Sequence, residues 1–262
     1  MSQTINGVRV KSVETEYDVY FDMALTMLEE IIHHNNRGEK TVMIVPVGPT
    51  QQYPILAEMV NRLNVSLKNV HFFNMDEYLI TPEKAIDEND PMSFKYRMNK
   101  EFYERVSPDL VMDEGHRHFP EVGKEAEYDA LIEELGGIDY CFGGLGINGH
   151  VAFNEPPEKN ETVSDLDFAN LGTRVLPISR ETKTINAYGY QRGDLKGMPE
   201  WCITIGMKQI IASRKIYIAL NRPWQNGPFK HAVWDEPSAE IPASLLRKNK
   251  NLIYCAVKDI IL

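Results

Sequence analysis

The sequence predicts an α/β fold: a doubly wound, mostly parallel sheet with helices on both faces. Three observations carry that expectation. Short apolar runs alternate with helix-period segments from end to end, the pattern of repeated strand–helix–strand units. Several runs, residues 41–47 and 70–75 among them, are apolar without alternation, as strands covered on both faces are. A chain of 262 residues, 43% hydrophobic and 25% charged, is long enough to bury a sizeable core without metal or disulfide staples.

Taken in order, Val8-Arg-Val-Lys-Ser-Val13 alternates like a half-buried strand. Over residues 16–34, Tyr20, Ala24, Met27, Leu28 and Ile31 recur at spacings of three and four, an amphipathic helix stopped near Gly38. The strand at 41–47 breaks at Gly48-Pro-Thr-Gln-Gln, and residues 53–63 return to helical spacing. A second buried strand, 70–75, ends at Asp76-Glu-Tyr. Helices around 93–106 and 124–135 lead to the strand 138–142 and then to Gly143-Gly-Leu-Gly-Ile-Asn-Gly-His150. Residues 156–198 are polar, with the weakest periodicity in the chain; a mobile cover over a site and an ordinary surface excursion both read this way. Strands follow at 201–206, 215–220 and 251–257. With no Pro/Gly/Ser linker, repeat or low-complexity tract, residues 1–262 read as one domain with a candidate lid within 156–198.

The 28 basic and 38 acidic residues leave a net charge of -10. That argues against a broad nucleic-acid face, which needs Lys and Arg to displace counterions from phosphates. It leaves open a local basic pocket for a small anion. Cys141, Cys202 and Cys255 are widely spaced and odd in number, so they form no disulfide framework and read as buried free thiols. The N-terminus has no signal-peptide pattern, and no apolar run approaches the ~20 residues of a membrane span. These features predict a cytoplasmic protein without a membrane partner.

In open α/β sheets ligands bind beyond the carboxyl ends of the strands, where strand order reverses. Three such places carry suitable groups. Gly48-Pro-Thr-Gln-Gln offers backbone N–H groups and the positive end of a helix dipole to an anion, with Thr50 adding a hydroxyl; a plain strand-to-helix turn is the alternative. In Asn74-Met-Asp-Glu-Tyr78, a carboxylate at the end of an apolar strand would be desolvated and suited to a general base. A capping or surface Asp is the alternative there. The acids at 76 and 77 should point opposite ways, as neighbours in extended chain do. In Gly143-Gly-Leu-Gly-Ile-Asn-Gly-His-Val-Ala-Phe-Asn-Glu-Pro156, four glycines let the backbone approach a ligand closely, with His150 and Glu155 just beyond. His33-His34 ends a helix, and His116 and His118 lie in a charged loop, so these read as solvated; His71 should face the core or the far side of its strand. No histidine has metal-ligand spacing, so no metal is expected, and there is no GxSxG elbow or Cys nucleophile. An anion loop, a base-like Asp and a His/Glu loop together suggest proton transfer on a small anionic substrate.

Asn74-Met-Asp-Glu-Tyr78 and Gly143-Gly-Leu-Gly…Gly-His-Val-Ala-Phe-Asn-Glu-Pro156 resemble the glucosamine-6-phosphate deaminases (isomerases), related in fold to the 6-phosphogluconolactonases. The likeness extends over nearly the whole chain, including Asp-Glu-Pro-Ser at 235–238 and Ile-Pro-Ala-Ser-Leu-Leu at 241–246. The Gly-His-x-Ala-Phe-Asn-Glu-Pro string favours the deaminase branch. The resemblance implies a modified Rossmann-like fold, no cofactor, and a sugar phosphate as the small-molecule partner. It implies that His150 helps open the sugar ring and that Asp76 moves the C2 proton to C1. The imine at C2 then hydrolyses to a ketose phosphate and ammonia. Glu155 and Asn148 would orient His150, and Gly144, Leu145 and Gly146 would offer backbone N–H groups to a developing oxyanion. Gly48, Thr50, Arg174, Lys183 and Arg222 are the expected substrate-binding residues. Relatives occur as hexamers and as monomers, which leaves a homo-oligomer open.

This chain departs from the family at several positions. The family's Asp two residues before the His is Asn148; in serine proteases the comparable Asp-to-Asn change costs about 10⁴ in rate. The family's Thr-Gly-Gly-Thr loop reads Val47-Gly-Pro-Thr50, and Pro49 removes an N–H donor. In a gapless alignment its phosphate-binding Lys falls at Trp224 and a lid Arg falls near Tyr188, whereas Arg174 has a basic counterpart. Either neighbouring bases, Arg180, Lys183 and Arg222, have taken over, or the substrate is not a simple 6-phosphate. A lactonase, an isomerase of another sugar derivative, or a non-catalytic sugar-phosphate-binding protein are the alternative readings.

Overall fold

Side chains alternating along the strands of one large sheet supply two cores, one on each face, in the computed structural model of the chain. The structure describes residues 2–158 and 160–261; Met1, Lys159 and Leu262, parts of the segments read above as one domain and lid, lie outside the described residues, as does the side chain of Tyr190. The first half runs β1 (Ser2–Ile5), β2 (Val8–Val13), α1 (Glu16–Asn35), β3 (Thr41–Val45), α2 (Gln52–Leu63), β4 (Val70–Asn74), β5 (Asp76–Thr81), β6 (Lys84–Ala85) and α3 (Phe94–Met98). It continues through β7 (Arg117–His118), α4 (Glu125–Glu134), β8 (Tyr140–Gly144), α5 (Asp165–Ala169), β9 (Arg174–Pro177) and α6 (Arg180–Tyr190). The last elements are β10 (Trp201–Thr204), α7 (Met207–Ala212), β11 (Lys215–Leu220), α8 (Asn226–Trp234) and β12 (Leu252–Val257).

The main sheet has eight strands in the order β1-β2-β12-β11-β8-β3-β4-β7. All its pairs are parallel except β1 with β2. That hairpin turns on Asn6 and Gly7, both at positive φ (45° and 80°), the Asn-Gly chemistry of a two-residue turn. Met43 and Val45 face the core under α1 and α2, while Val42 and Ile44 face the core under α4, α5, α7 and α8. The period of two distributes one apolar strand to both faces, and the fold is doubly wound as the sequence predicts. Among the described residues no helix is long and apolar enough to cross a membrane.

Strand order reverses between β3 and β8. From β3 the chain adds β4 on one side, and from β8 it adds β11 and β12 on the other. The loops that leave β3 and β8 therefore diverge and open a crevice. They are close enough that a Cβ on Gly144 would lie 2.8 Å from the Gly48 carbonyl.

The sequence marks 201–206 as a strand without assigning it to a sheet and ends the second buried strand before Asp76. The structure differs. After β4 the chain crosses at Met75, whose N–H bonds the Val45 carbonyl and whose carbonyl accepts from Ile205. It then enters a separate four-stranded antiparallel sheet, β6-β5-β10-β9. This sheet draws β9 from the polar 156–198 segment, and its β5–β10 pairing joins residues more than a hundred positions apart. No local pattern encodes such a pairing. The histidines also differ from expectation: His116 stacks on His71 at 3.8 Å, and His118 stacks on Phe73 at 4.3 Å. Burial holds His71 and His118 down at about 4, with the nearby imidazoles adding to the effect.

Candidate active site

A cavity of about 830 Å³ lies over the switch point, within the usual range for small-molecule sites. Its walls come from the loop after β3 (Gly48, Pro49, Gln51), the start of β5 (Asp76, Tyr78), the glycine loop after β8 (Gly144, Leu145, Gly146, His150), α6 (Ile185, Asn186, Tyr188) and the loop after β11 (Asn221, Arg222, Trp224, Gln225).

Asp76 stands at the first position of β5, opposite Thr204 of β10, and is 6% exposed. No described side chain donates to its carboxylate. Burial, and next the charge of Glu77, pushes its carboxyl well above the usual carboxylate range, the condition of a strong base. Glu77 points away, as alternation requires. Its carboxylate accepts from the N–H groups of Tyr78, Phe94 and Lys95 and from Ser93 Oγ, capping α3. Burial still raises it, although those four donors pull the other way. Of two adjacent acids, one faces the cavity and the other closes a helix end.

His150 is set by its neighbours on the same loop. Its ring lies against Gly146 so closely that a Cβ there would sit 2.1 Å from Cε1. Its Nδ1 meets Asn148 Oδ1 at 2.7 Å, Thr182 Oγ1 at 3.3 Å and Glu155 Oε2 at 3.4 Å. The Asn148 amide nitrogen donates to Glu155 Oε2 at 2.5 Å, which directs its oxygen at the imidazole. An amide oxygen only accepts, so Nδ1 carries a proton, and in the neutral ring Nε2 is the nitrogen with the free lone pair. Burial raises the Glu155 carboxyl, but hydrogen bonds and charge from His150, with bonds from Asn148 and Thr182, outweigh it and hold the group at about 2. Glu155 is thus a fixed negative charge beside the imidazole. Its contribution to stability is complete above the ordinary carboxylate pKa and is lost as pH falls through about 2.

Further bonds hold these loops in place. Gln225 donates to the Leu145 carbonyl at 2.8 Å and accepts from the N–H groups of Asn221 and Arg222, tying the glycine loop to the loop after β11. Tyr78, Phe94 and Phe153 pack as an aromatic shelf, with Tyr78 4.7 Å from Phe94 and 5.6 Å from Phe153 between ring centroids. Asn186 bonds the Tyr78 hydroxyl at 3.1 Å.

The structure brings together Asp76, His150, Gly48, Gly144, Leu145, Gly146 and Arg222 around the cavity. Asn148 and Glu155 stand directly behind His150. Three expected binding residues lie elsewhere. Thr50 is only half-buried, its N–H and hydroxyl directed at Gln51 Oε1, and does not line the cavity. The Arg174 guanidinium is spent on Asn154 Oδ1 at 2.8 Å, and Asn154 in turn holds the Val151 and Ile205 carbonyls. It braces the loop that carries Glu155. Lys183 pairs with Glu200 at 2.8 Å and faces a second cavity of about 400 Å³ with Arg180 and Trp201. The reason is helical geometry: Thr182, Ile185, Asn186 and Gly189 share the inward face of α6 at spacings of three and four, and residue 183 lies about 100° away.

Thr182 stands behind His150 and Glu155, a position that no sequence pattern marks. It is 1% exposed and reaches both His150 and Glu155, yet the face that carries it is polar and gives no hydrophobic period. Thr182→Val keeps the shape and removes the hydroxyl; kcat is expected to fall about tenfold, the worth of one buried hydrogen bond. Thr182→Ser should restore most of it. A Val variant with a wild-type pH–rate profile would show that the hydroxyl only fills space.

No family model matches the chain. It is 30% identical over 217 residues to the glucosamine-6-phosphate deaminase of Halothermothrix orenii, covering 80% of this chain and 82% of that protein. It is 27% identical to the enzyme of that name from Lachnoclostridium phytofermentans, over 79% of this chain and 80% of that one. Among solved structures, a monomeric glucosamine-6-phosphate deaminase superposes with a TM-score of 0.82 at 20% identity, covering 96% of this chain and 98% of that chain. The 6-phosphogluconolactonase of Thermotoga maritima superposes with 0.66 at 16% identity, over 95% of this chain and 99% of that one. These two likenesses bear on the fold; the sequence relationships, carried along most of the chain, show that it belongs to the glucosamine-6-phosphate deaminase family.

Proposed function

We propose that the protein converts an amino-sugar phosphate of the glucosamine-6-phosphate type into a ketose phosphate and ammonia, by aldose–ketose isomerisation and hydrolytic deamination. One observation carries the reading: a buried, unpaired carboxylate, Asp76, and an imidazole with a free Nε2, His150, line the same cavity. His150 passes a proton from the anomeric hydroxyl to the ring oxygen, and the ring opens. Asp76 takes the C2 proton, and the electron pair shifts to give an enolamine. The same carboxylic acid returns the proton to C1, leaving an imine at C2. Water adds to that carbon, the C–N bond breaks, and ammonia departs as the C2 carbonyl forms.

Asn148 fixes the tautomer and Glu155 supplies the charge for the imidazolium, so the two divide a task that one Asp performs in a triad. Backbone N–H groups of Gly144, Leu145 and Gly146 are assigned to the developing oxyanion. The anionic group is assigned to Arg222 and the start of α2, where Gly48 and Gln51 face the cavity. The 156–198 segment is assigned as the cover, with α6 over the mouth. A cytoplasmic location is supported by the three cysteines, all buried as free thiols.

The test is to incubate the purified protein with glucosamine-6-phosphate and with its galacto epimer, and to follow ammonia and ketose phosphate together. Equimolar release of both from either sugar is expected. Absence of ammonia from both would reject the reaction.

A further inference from the structure

Among the described residues, Arg222 is the only Lys or Arg that lines the main cavity, and it is already partnered. Its Nη1 lies 3.3 Å from Glu16 Oε1 and 3.4 Å from Oε2. Glu16 opens α1 directly after the Thr15 cap. Its carboxylate is anchored by the Tyr20 hydroxyl, one turn along the helix. Asn221 donates to that hydroxyl at 2.8 Å and to Glu16 itself at 3.4 Å. Tyr20, Asn221 and Arg222 all line the cavity. A fixed negative charge is therefore tied into the end of the cavity that holds its one guanidinium.

From this network we propose that Glu16 is a specificity-determining residue, one that competes with the substrate's anionic group for Arg222 and sets how tightly a dianion is held. The inference rests on the proposed reaction only in taking the substrate to be anionic. Arg222 and Glu16 side chains are 50% and 41% exposed, so their pairing is weak and screened. A phosphate that offers two oxygens to the planar guanidinium can displace a carboxylate held at 3.3–3.4 Å, because paired charge-assisted bonds are the stronger arrangement. Glu16 stays nearby after losing Arg222, held by Tyr20 and Asn221. There it repels a dianion more than a monoanion or a neutral sugar, since the Coulomb cost scales with charge. The result is an anion end tuned below the affinity that an unopposed Arg would give.

Glu16→Gln tests this in the full chain, since it keeps an oxygen for Tyr20 and Asn221 and removes only the charge. KM for glucosamine-6-phosphate and the inhibition constant of inorganic phosphate should each fall about fivefold or more, with kcat moving much less. Arg222→Met should raise both constants, and adding Glu16→Gln to it should relieve only the direct repulsion, a smaller gain than with Arg222 present, which is the coupling that a double-mutant cycle reads. Unchanged or raised constants in Glu16→Gln would overturn the proposal, as would an equal gain with Arg222 absent. Should the wild type release no ammonia, the reaction falls but this proposal is still decided. The rise in Tm with inorganic phosphate should then begin at lower phosphate in Glu16→Gln than in wild type, and the same onset in both rejects it.

Discussion

Asp76→Asn should lower kcat by about 10³-fold or more, since general-base catalysis contributes 10² to 10⁴ and no other carboxylate among the described residues lines the cavity. Ammonia release and exchange of the C2 proton with deuterated solvent should vanish together, because one group performs both. The variant should fold at least as well as the wild type. Asp76 has no described donor and its carboxyl is raised by burial, then by Glu77. A carboxyl whose pKa is raised on folding binds more protons in the native state. Stability therefore falls as pH rises from the ordinary carboxylate pKa through the folded value. An uncharged isostere escapes that penalty, so the Tm of Asp76→Asn at neutral pH should equal or exceed that of the wild type. A variant that keeps exchanging the C2 proton, or that unfolds at lower temperature, would show that Asp76 is a structural acid.

The second large effect is expected at Gly146. A methyl there would lie 2.1–2.4 Å from the His150 atoms Cε1, Nε2 and Cδ2, distances that no packed side chain tolerates, so Gly146→Ala must turn the imidazole away. Misplacing a reacting group by about 1 Å costs about 10² in rate, and kcat should fall by at least that factor. Overpacking typically costs about 1–3 kcal/mol of stability, so the protein should remain folded. Near-wild-type turnover in Gly146→Ala would mean that His150 works from a different position. Loss of KM with kcat intact would assign the ring to binding.

Much of this site is legible in the residues themselves. The glycine loop after an apolar strand announces a close backbone approach, and the structure shows why two of its glycines are needed: Gly144 passes the Gly48 carbonyl and Gly146 receives the His150 ring. The opposed directions of Asp76 and Glu77 follow from the pleat alone. Arg174 and Lys183 show where such reading stops. Both are basic residues near the site in sequence, yet each finds a nearer acceptor, Asn154 and Glu200. Which acceptor is nearer depends on chain segments about 20 residues away. Thr182 and Glu16 are the converse, ordinary helix residues that only the fold sets against His150 and Arg222.

The sequence by itself determined the alternation of strands and helices, the doubly wound class, and the turn that opens each functional loop. These follow from short-range rules: hydrophobic period, strand length, and the conformations open to Gly and Pro. Only the tertiary structure decided that β5 leaves the main sheet to pair with β10, that α6 presents Thr182 to His150, and that Glu16 meets Arg222 across 206 positions. Such contacts depend on chain closure between distant segments, and no local pattern records them.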